Sequence, residues 1–150
     1  MKIVTGDLWD YWGRENHVIL ITTNGNVKKN HKAVLGRGCA AEARAKIPGI
    51  EKLLGAHILN FGNVVMITDR GYGTFPVKHN WWDAKADLVL IANSAMDLKK
   101  IIASPELARK IFILPRPGCG VGNLEWPEVR YTLERVGLPD NVHIISKSKF

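Results

Sequence analysis

The feature that most constrains the fold is the stretch 111–126, in which an apolar run leads through closely spaced glycines into a polar segment. The β-branched run bounded by proline predicts a buried strand, the glycines predict a tight loop, and the following segment predicts a helix. Gly118, Gly120 and Gly122 have no Cβ atom, so the backbone can approach a ligand while its amides point at negative oxygens. This pattern predicts an anion-binding loop. The alternative is a connection that needs glycine only for its turn.

Two well-known phosphate-binding motifs do not describe this loop. A Walker loop requires Gly-Lys-Ser or Gly-Lys-Thr at the start of the helix, and neither tripeptide occurs in the sequence. A dinucleotide-binding fold requires GxGxxG in its first βαβ unit and an acidic residue about 20 positions later. Here the pattern is GxGxG near the end of the chain. The sequence therefore favours a phosphorylated ligand that is held in another way.

Length and cysteine content predict one domain over residues 1–150 that needs neither a disulfide nor a metal. A chain of 150 residues can bury a sizeable core by itself. Cys39 and Cys119 lie beside glycines, and the five histidines have no ligand spacing with them. We therefore expect no bound cofactor and no metal.

The charge balance is basic. Lys plus Arg exceed Asp plus Glu by 21 − 14 = 7, which favours polyanionic partners such as nucleic acid, although a basic surface can also serve solubility alone. The chain has no N-terminal apolar segment of signal-peptide length and no run long enough for a membrane span. We expect a cytoplasmic protein without a membrane partner. No heptad pattern occurs, so a monomer is expected.

Hydrophobic periodicity predicts an α/β fold with helices on both faces of a mixed sheet. Strands are expected at 2–5, 17–22, 63–68, 72–77, 111–115 and 142–145. Helices are expected at 40–46 and 50–59, from 83 onward, as a short segment after Ser104, and from 126 to a stop at Gly137.

Three further segments carry polar residues where strands are predicted to end. Lys28, Lys29 and Lys32 precede a Gly-Arg-Gly loop at 36–38, which suits phosphates, although a mobile surface loop is an alternative. Lys78 ends a strand next to two tryptophans, where a snorkelling surface lysine is the alternative. Asp7 can cap a helix without any ligand. The predicted order places the two glycine loops and Lys78 around one crevice.

Four motifs in this order resemble those of macrodomains. They are Val-Thr-Gly-Asp-Leu at 4–8, Leu-Gly-Arg-Gly-Cys-Ala at 35–40, Thr-Phe-Pro-Val-Lys at 74–78 and Gly-Cys-Gly-Val-Gly-Asn-Leu-Glu-Trp at 118–126. The resemblance spans nearly the whole chain. It is to the branch that contains the terminal ADP-ribose protein glycohydrolase and the antitoxin macrodomain that reverses ADP-ribosylation of DNA. It implies a three-layer α/β/α macrodomain with a central mixed β-sheet and ADP-ribose bound across its crevice.

The resemblance also implies roles for single residues. Asp7 would accept from the adenine amino group, loop 36–39 would cover the distal ribose and a phosphate, and loop 118–122 would hold the diphosphate. Lys78 and Asn26 would be the catalytic residues. The ligand-binding residues predicted in this way are Asp7, Leu8, Thr23, Gly36, Arg37, Gly38, Cys39, Thr74, Pro115, Gly118, Cys119, Gly120, Val121 and Gly122.

One departure from the resemblance bears on the activity. The protein-directed glycohydrolase carries an aspartate in the diphosphate loop, where this chain has Gly122, as does the DNA-directed branch. The first hypothesis is therefore an ADP-ribosyl hydrolase that acts on modified nucleic acid, with a protein or small metabolite as other substrates. The alternatives are a non-catalytic reader of ADP-ribose, an ADP-ribose 1''-phosphate phosphatase, and a plain nucleic-acid-binding domain that uses its lysine-rich loop.

Overall fold

The computed structural model describes residues 1–149, and their strands and helices alternate in the predicted order. The strands are β1 (Lys2–Thr5), β2 (His17–Thr23), β3 (Met66–Ile67), β4 (Tyr72–Pro76), β5 (Ile111–Pro115) and β6 (Val142–Ser146). The helices are α1 (Gly38–Lys46), α2 (Ile50–Phe61), α3 (Leu88–Ile101), α4 (Pro105–Ala108) and α5 (Trp126–Val136), with a short 3₁₀ helix at Leu8–Tyr11. Every helix in this part of the chain is too short or too polar to span a bilayer.

The sheet is mixed, as predicted. Its strand order is β1-β6-β5-β2-β4-β3. All pairs are parallel except β3 with β4, which is antiparallel. The two-residue β3 is much shorter than the predicted strand at 63–68. The amide of Val64 donates to the carbonyl of Gly62 at 3.0 Å, so the chain makes a local turn before β3 begins.

Strand β5 shows why the sequence contains one continuous apolar run at this point. Phe112 and Leu114 belong to one apolar cluster, whereas Ile113 belongs to a second cluster on the opposite face, and all three are fully buried. A parallel strand that is covered on both faces has no solvent side, so polar residues do not alternate along it.

The helices cover both faces of the sheet and complete a three-layer α/β/α fold. Ile91 and Leu98 of α3 and Val129 and Leu133 of α5 pack in the first cluster. The second cluster contains residues of α1 and α2. The fold class expected from the sequence is confirmed.

Capping residues set the start of α3 and the end of α5. Helix α3 begins at Leu88 rather than nearer to residue 83, because the Asp87 side chain accepts from the amides of Val89 and Leu90 at 2.8 and 3.4 Å. Helix α5 ends at Gly137, which adopts a left-handed conformation with φ 75°.

Candidate functional site

The loops that follow the parallel strands form a crevice composed of two adjoining cavities. The first, of about 260 Å³, contains Lys78 and is called the lysine cavity. The second, of about 230 Å³, contains Asp7 and is called the aspartate cavity. Cys39, Pro115, Arg116 and Gly120 line both cavities, so the two are parts of one elongated crevice. Its position at the carboxyl ends of the strands is the usual one for ligands of open α/β sheets.

The glycine loop 118–122 supplies one wall of the crevice and presents unpaired amides. Within the described chain, the N–H groups of Gly118, Gly120, Val121 and Gly122 have no hydrogen-bond acceptor. The loop is nevertheless held in place, because the carbonyl of Gly118 accepts from Leu124 at 2.9 Å and that of Gly122 accepts from Ala86 at 2.8 Å. Such a loop is prepared for an anion.

The N-terminus of α1 supplies the opposite wall. Arg37 occupies the N-cap position without a side-chain cap, so the first amides of this helix stay open to the crevice, which Gly38, Cys39 and Ala40 line. Gly38 has φ 56°, and a Cβ there would lie 3.2 Å from Cγ2 of Val121. The two glycine loops therefore meet across the crevice.

The charges along the crevice are unequal. Arg37, Lys78 and Arg116 line the lysine cavity, which has no acidic residue in its wall. The aspartate cavity contains both signs, with Asp7 and Glu42 beside Arg116 and Lys147. The electrostatics therefore favour an anionic group in the middle of the crevice and a hydrogen-bond donor at the Asp7 end.

Lys78 is the buried amine of this site. The residue is only 8% exposed. Its backbone is fixed on both sides, since its amide donates to the carbonyl of Thr23 at 3.3 Å and its carbonyl accepts from Asn63 at 3.0 Å. Among residues 1–149, no carboxylate forms an ion pair with it. Lys78 is therefore a fixed amine, not a snorkelling surface lysine.

Asp7 has the structural role that its sequence position predicted and keeps capacity for a ligand. One carboxylate oxygen accepts from the amide of Trp9 at 3.0 Å and caps the 3₁₀ helix. The other lies 3.8 Å from Nζ of Lys147, and the carboxylate remains in the wall of the aspartate cavity.

The two cysteines at the crevice are not activated nucleophiles. Burial raises the pKa of the Cys39 thiol to about 11, and a hydrogen bond from Thr22 offsets only part of this effect. Burial also raises the pKa of Cys119 to about 11. Both thiols are therefore protonated near neutral pH. No group of three or more potential metal ligands occurs within residues 1–149.

Most residues selected from the sequence line the crevice, whereas Asn26 and Thr74 do not. Asn26 uses its side chain within the protein, accepting from the amide of Trp81 at 2.6 Å and donating to Asn80 at 3.1 Å. Thr74 is fully buried in the middle of β4. The others lie in the walls, namely Asp7, Leu8, Thr23, Gly36, Arg37, Gly38, Cys39, Lys78, Pro115, Gly118, Cys119, Gly120, Val121 and Gly122.

Several wall residues were not selected from the sequence. Asn24, Trp81 and Arg116 line the lysine cavity, and Lys147 lines the aspartate cavity. Arg116 and Lys147 directly follow parallel strands, so their place at the carboxyl end of a strand was the available signal. Asn24 stands two residues before the selected Asn26.

The sheet order, the three layers and the crevice between two glycine loops define a macrodomain fold. No family model matches the chain, and no curated protein matches it in sequence. Solved structures match it over its whole length. The macrodomain of Mycobacterium tuberculosis DarG superposes with a TM-score of 0.75 at 23% identity and covers 97% of this chain and 98% of its own.

Two further solved structures have the same fold. The macrodomain of Thermus aquaticus DarG has a TM-score of 0.72 at 22% identity, covering 99% of this chain and 97% of its own. Thermosipho africanus DarTG, solved in complex with ADP-ribose, has a TM-score of 0.70 at 16% identity. That match covers 99% of this chain and 43% of the longer one. At such identities the likeness establishes the fold and leaves the activity to be argued from the site.

Proposed function

We propose that this protein binds ADP-ribose in the crevice and cleaves ADP-ribosyl bonds with Lys78. The observation that carries the proposal is the pair of facing amide walls, α1 and loop 118–122, with a buried amine at one end. A diphosphate placed between these walls would accept from amides that have no partner within residues 1–149. Solved structures with this fold include one that contains ADP-ribose.

The charges support one orientation of the ligand. The carboxylate of Asp7 suits the amino group of adenine, so the base belongs in the aspartate cavity. Arg116 lines both cavities and suits the diphosphate between them. The distal ribose then enters the lysine cavity, and its anomeric carbon faces Lys78.

The chemistry follows from this placement. Cleavage of the bond to the anomeric carbon develops positive charge on that carbon. The unprotonated amine of Lys78 can attack it directly, or form an imine after the ribose ring opens. The leaving group departs with the bonding electron pair and takes up a proton, and water then releases ADP-ribose and restores the amine. The amide walls contribute by fixing the diphosphate, and catalysis is chiefly positional.

The test is the substitution Lys78→Ala. Release of ADP-ribose from a modified substrate should fall by about 100-fold or more, the scale expected when one catalytic group is removed. The Kd for free ADP-ribose, measured by calorimetry, should stay within about threefold, because the amides that hold the diphosphate are unchanged. Lys52→Ala is the matched control, since Lys52 is exposed on α2 and lines neither cavity. Unchanged turnover in Lys78→Ala would remove this mechanism.

A non-catalytic reader of ADP-ribose is the second candidate. It is favoured by the absence of a carboxylate ion pair at Lys78 within residues 1–149 and by the packing at Gly122, which leaves no space for a loop acid. In the same assay it would give binding of ADP-ribose without product from modified DNA, modified protein or ADP-ribose 1''-phosphate. We propose that the protein acts as a cytoplasmic monomer in either case.

A further inference from the structure

Two exposed tryptophans follow Lys78 by three and four residues, and the first of them lines the lysine cavity. Trp81 is 51% exposed and lines the cavity, and Trp82 is 61% exposed. Their ring centroids lie 5.6 Å apart and their planes are perpendicular, at 89°. A pair of large aromatic rings left open to water beside a ligand cavity indicates an interaction site.

Hydrogen bonds fix the backbone of the loop that carries Trp81. The Trp81 amide donates to Asn26 Oδ1 at 2.6 Å, and the same Asn26 side chain donates to Asn80 Oδ1 at 3.1 Å. The Asn80 amide in turn donates to Asp83 at 2.9 Å, while Gly25 donates to the carbonyl of His79 at 3.1 Å. The indole of Trp81 is thus presented on a braced loop, which lowers the entropic cost of stacking on it.

A basic hairpin continues from the residue that braces Trp81. Residues 27–33 close through a bridge between Val27 and Ala33 and a 2.8 Å hydrogen bond from the amide of Lys28 to the carbonyl of Lys32. Nζ of Lys28 lies 4.0 Å from Oε2 of Glu51, so these two charges form an ion pair. Lys29 and Lys32 are exposed and form no ion pair with any residue described, so their charges are available to an anionic partner.

Exposed aromatic rings beside uncompensated lysines are the combination that binds single-stranded nucleic acid, because bases stack on the rings while the lysines neutralise phosphates. A protein substrate would match the lysines only if it were acidic, whereas a single-stranded nucleic acid supplies phosphates and flat bases together. Trp81 lines the cavity that contains Lys78, so a base stacked on its ring would lie at the Lys78 end of the crevice.

We propose that Trp81, supported by Trp82, is the leaving-group subsite. It stacks on the base to which ADP-ribose is attached, while Lys29 and Lys32 contact flanking phosphates of a single strand. This inference rests on the proposed function, since it requires the distal ribose in the lysine cavity. It assigns selectivity for the leaving group to residues outside the two glycine loops.

The test compares two ligands in a Lys78→Ala background, which prevents turnover. One is free ADP-ribose, and the other is a short single-stranded oligonucleotide with ADP-ribose on a central base. Trp81→Ala should weaken binding of the modified oligonucleotide by about 5- to 150-fold, the range for loss of one base stack. The Kd for free ADP-ribose should stay within about twofold. Trp81→Phe should retain most of the affinity, and Phe61→Ala is the control for an exposed aromatic ring away from the crevice.

The contribution of Lys29 and Lys32 is tested separately, through the salt dependence of Kd. Lys29→Ala combined with Lys32→Ala removes two phosphate contacts and should reduce the slope of log Kd against log salt by about 1.4 for the oligonucleotide, at about 0.7 per contact on a single strand, and leave free ADP-ribose unaffected.

Two outcomes would overturn the inference. One is that the Lys78→Ala protein binds the modified oligonucleotide with the same Kd whether or not Trp81→Ala is added. The other is the same dependence on Trp81 for an ADP-ribosylated peptide, which would show that the ring does not select a base. Failure of the proposed function has other signatures: the wild-type protein would not bind free ADP-ribose, or would bind it without releasing product from a modified substrate.

Discussion

At Gly122, the backbones of two glycines approach so closely that no side chain fits between them. A Cβ atom built on Gly122 would lie 2.5 Å from the carbonyl oxygen of Gly118 and 2.8 Å from its Cα. That carbonyl is already engaged by the amide of Leu124. Gly122 is thus required by packing. An acidic residue at this position would have to displace the loop whose amides the proposed diphosphate needs.

Gly122→Ala is expected to destabilise the protein and to weaken ADP-ribose binding by about tenfold or more, because overpacking of this kind costs about 1–3 kcal/mol. Thermal unfolding without ligand and calorimetry with ADP-ribose measure the two effects. Gly120→Ala is the matched control for stability, since a Cβ there meets nothing within 4 Å and Gly120 has no positive φ. Equal melting temperatures for the two variants would show that loop 118–122 accommodates the added methyl group without loss of stability, which contradicts this prediction.

The N-terminus of α3 links the Lys78 segment to the glycine loop. The amide of Asp87 donates to the carbonyl of Val77 at 2.9 Å, and the neighbouring Ala86 donates to Gly122 at 2.8 Å. The Asp87 carboxylate caps α3 and lies 2.9 Å from Nε2 of His79. The hydrogen bond from His79 is the largest cause of the lowered pKa of Asp87. This cap therefore supports both walls near the lysine cavity.

Asp87→Ala should cost about 1 kcal/mol of stability at pH 7, the usual value for loss of an N-cap. Because the folded-state pKa of Asp87 lies below its ordinary value of 3.8, the contribution of the carboxylate is present above pH 3.8 and is lost as pH falls through the folded pKa. The difference in free energy of unfolding between the wild type and Asp87→Ala should therefore shrink in strongly acidic solution. Urea unfolding at a series of pH values measures it. A difference that is independent of pH would contradict the role of the charge.

At the scale of the whole molecule, the crevice exists because five parallel strands end at one edge of the sheet. The loops after β1, β2, β4, β5 and β6 all contribute to its walls. Loops far apart in sequence meet there, so a ligand that spans both cavities would connect loops from both ends of the chain. Such a ligand stabilises the folded state without requiring a change in the core.

ADP-ribose at 100 times its Kd should stabilise the protein by about 2.7 kcal/mol. For a domain of this size, that corresponds to a rise of roughly 5–10 °C in the melting temperature. A thermal-shift series with ADP-ribose, ADP, AMP and NAD measures it. At the same concentration, ADP and AMP should raise the melting temperature less than ADP-ribose does, because they leave the lysine cavity empty. Equal shifts for AMP and ADP-ribose would contradict occupation of that cavity.

Some features of the fold were predictable from local chemistry, and the structure has them as expected. The strand at 111–115, the cap at Asp7 and the helix stop at Gly137 depend on neighbouring residues alone. The extent of β3 was not predictable in this way. Only Met66 and Ile67 pair with β4, because the chain before them forms a local turn in which Val64 donates to Gly62.

By itself, the sequence determined the alternation of strands and helices and the two glycine loops, since turn, cap and periodicity preferences act over a few residues. Tertiary structure alone decided that Lys78 is buried, that Arg116 lines both cavities, and that Asn26 braces Trp81 instead of facing the crevice. The physical reason is that side-chain burial and contacts depend on which distant segments pack together, and the packed sheet brings those segments to one edge.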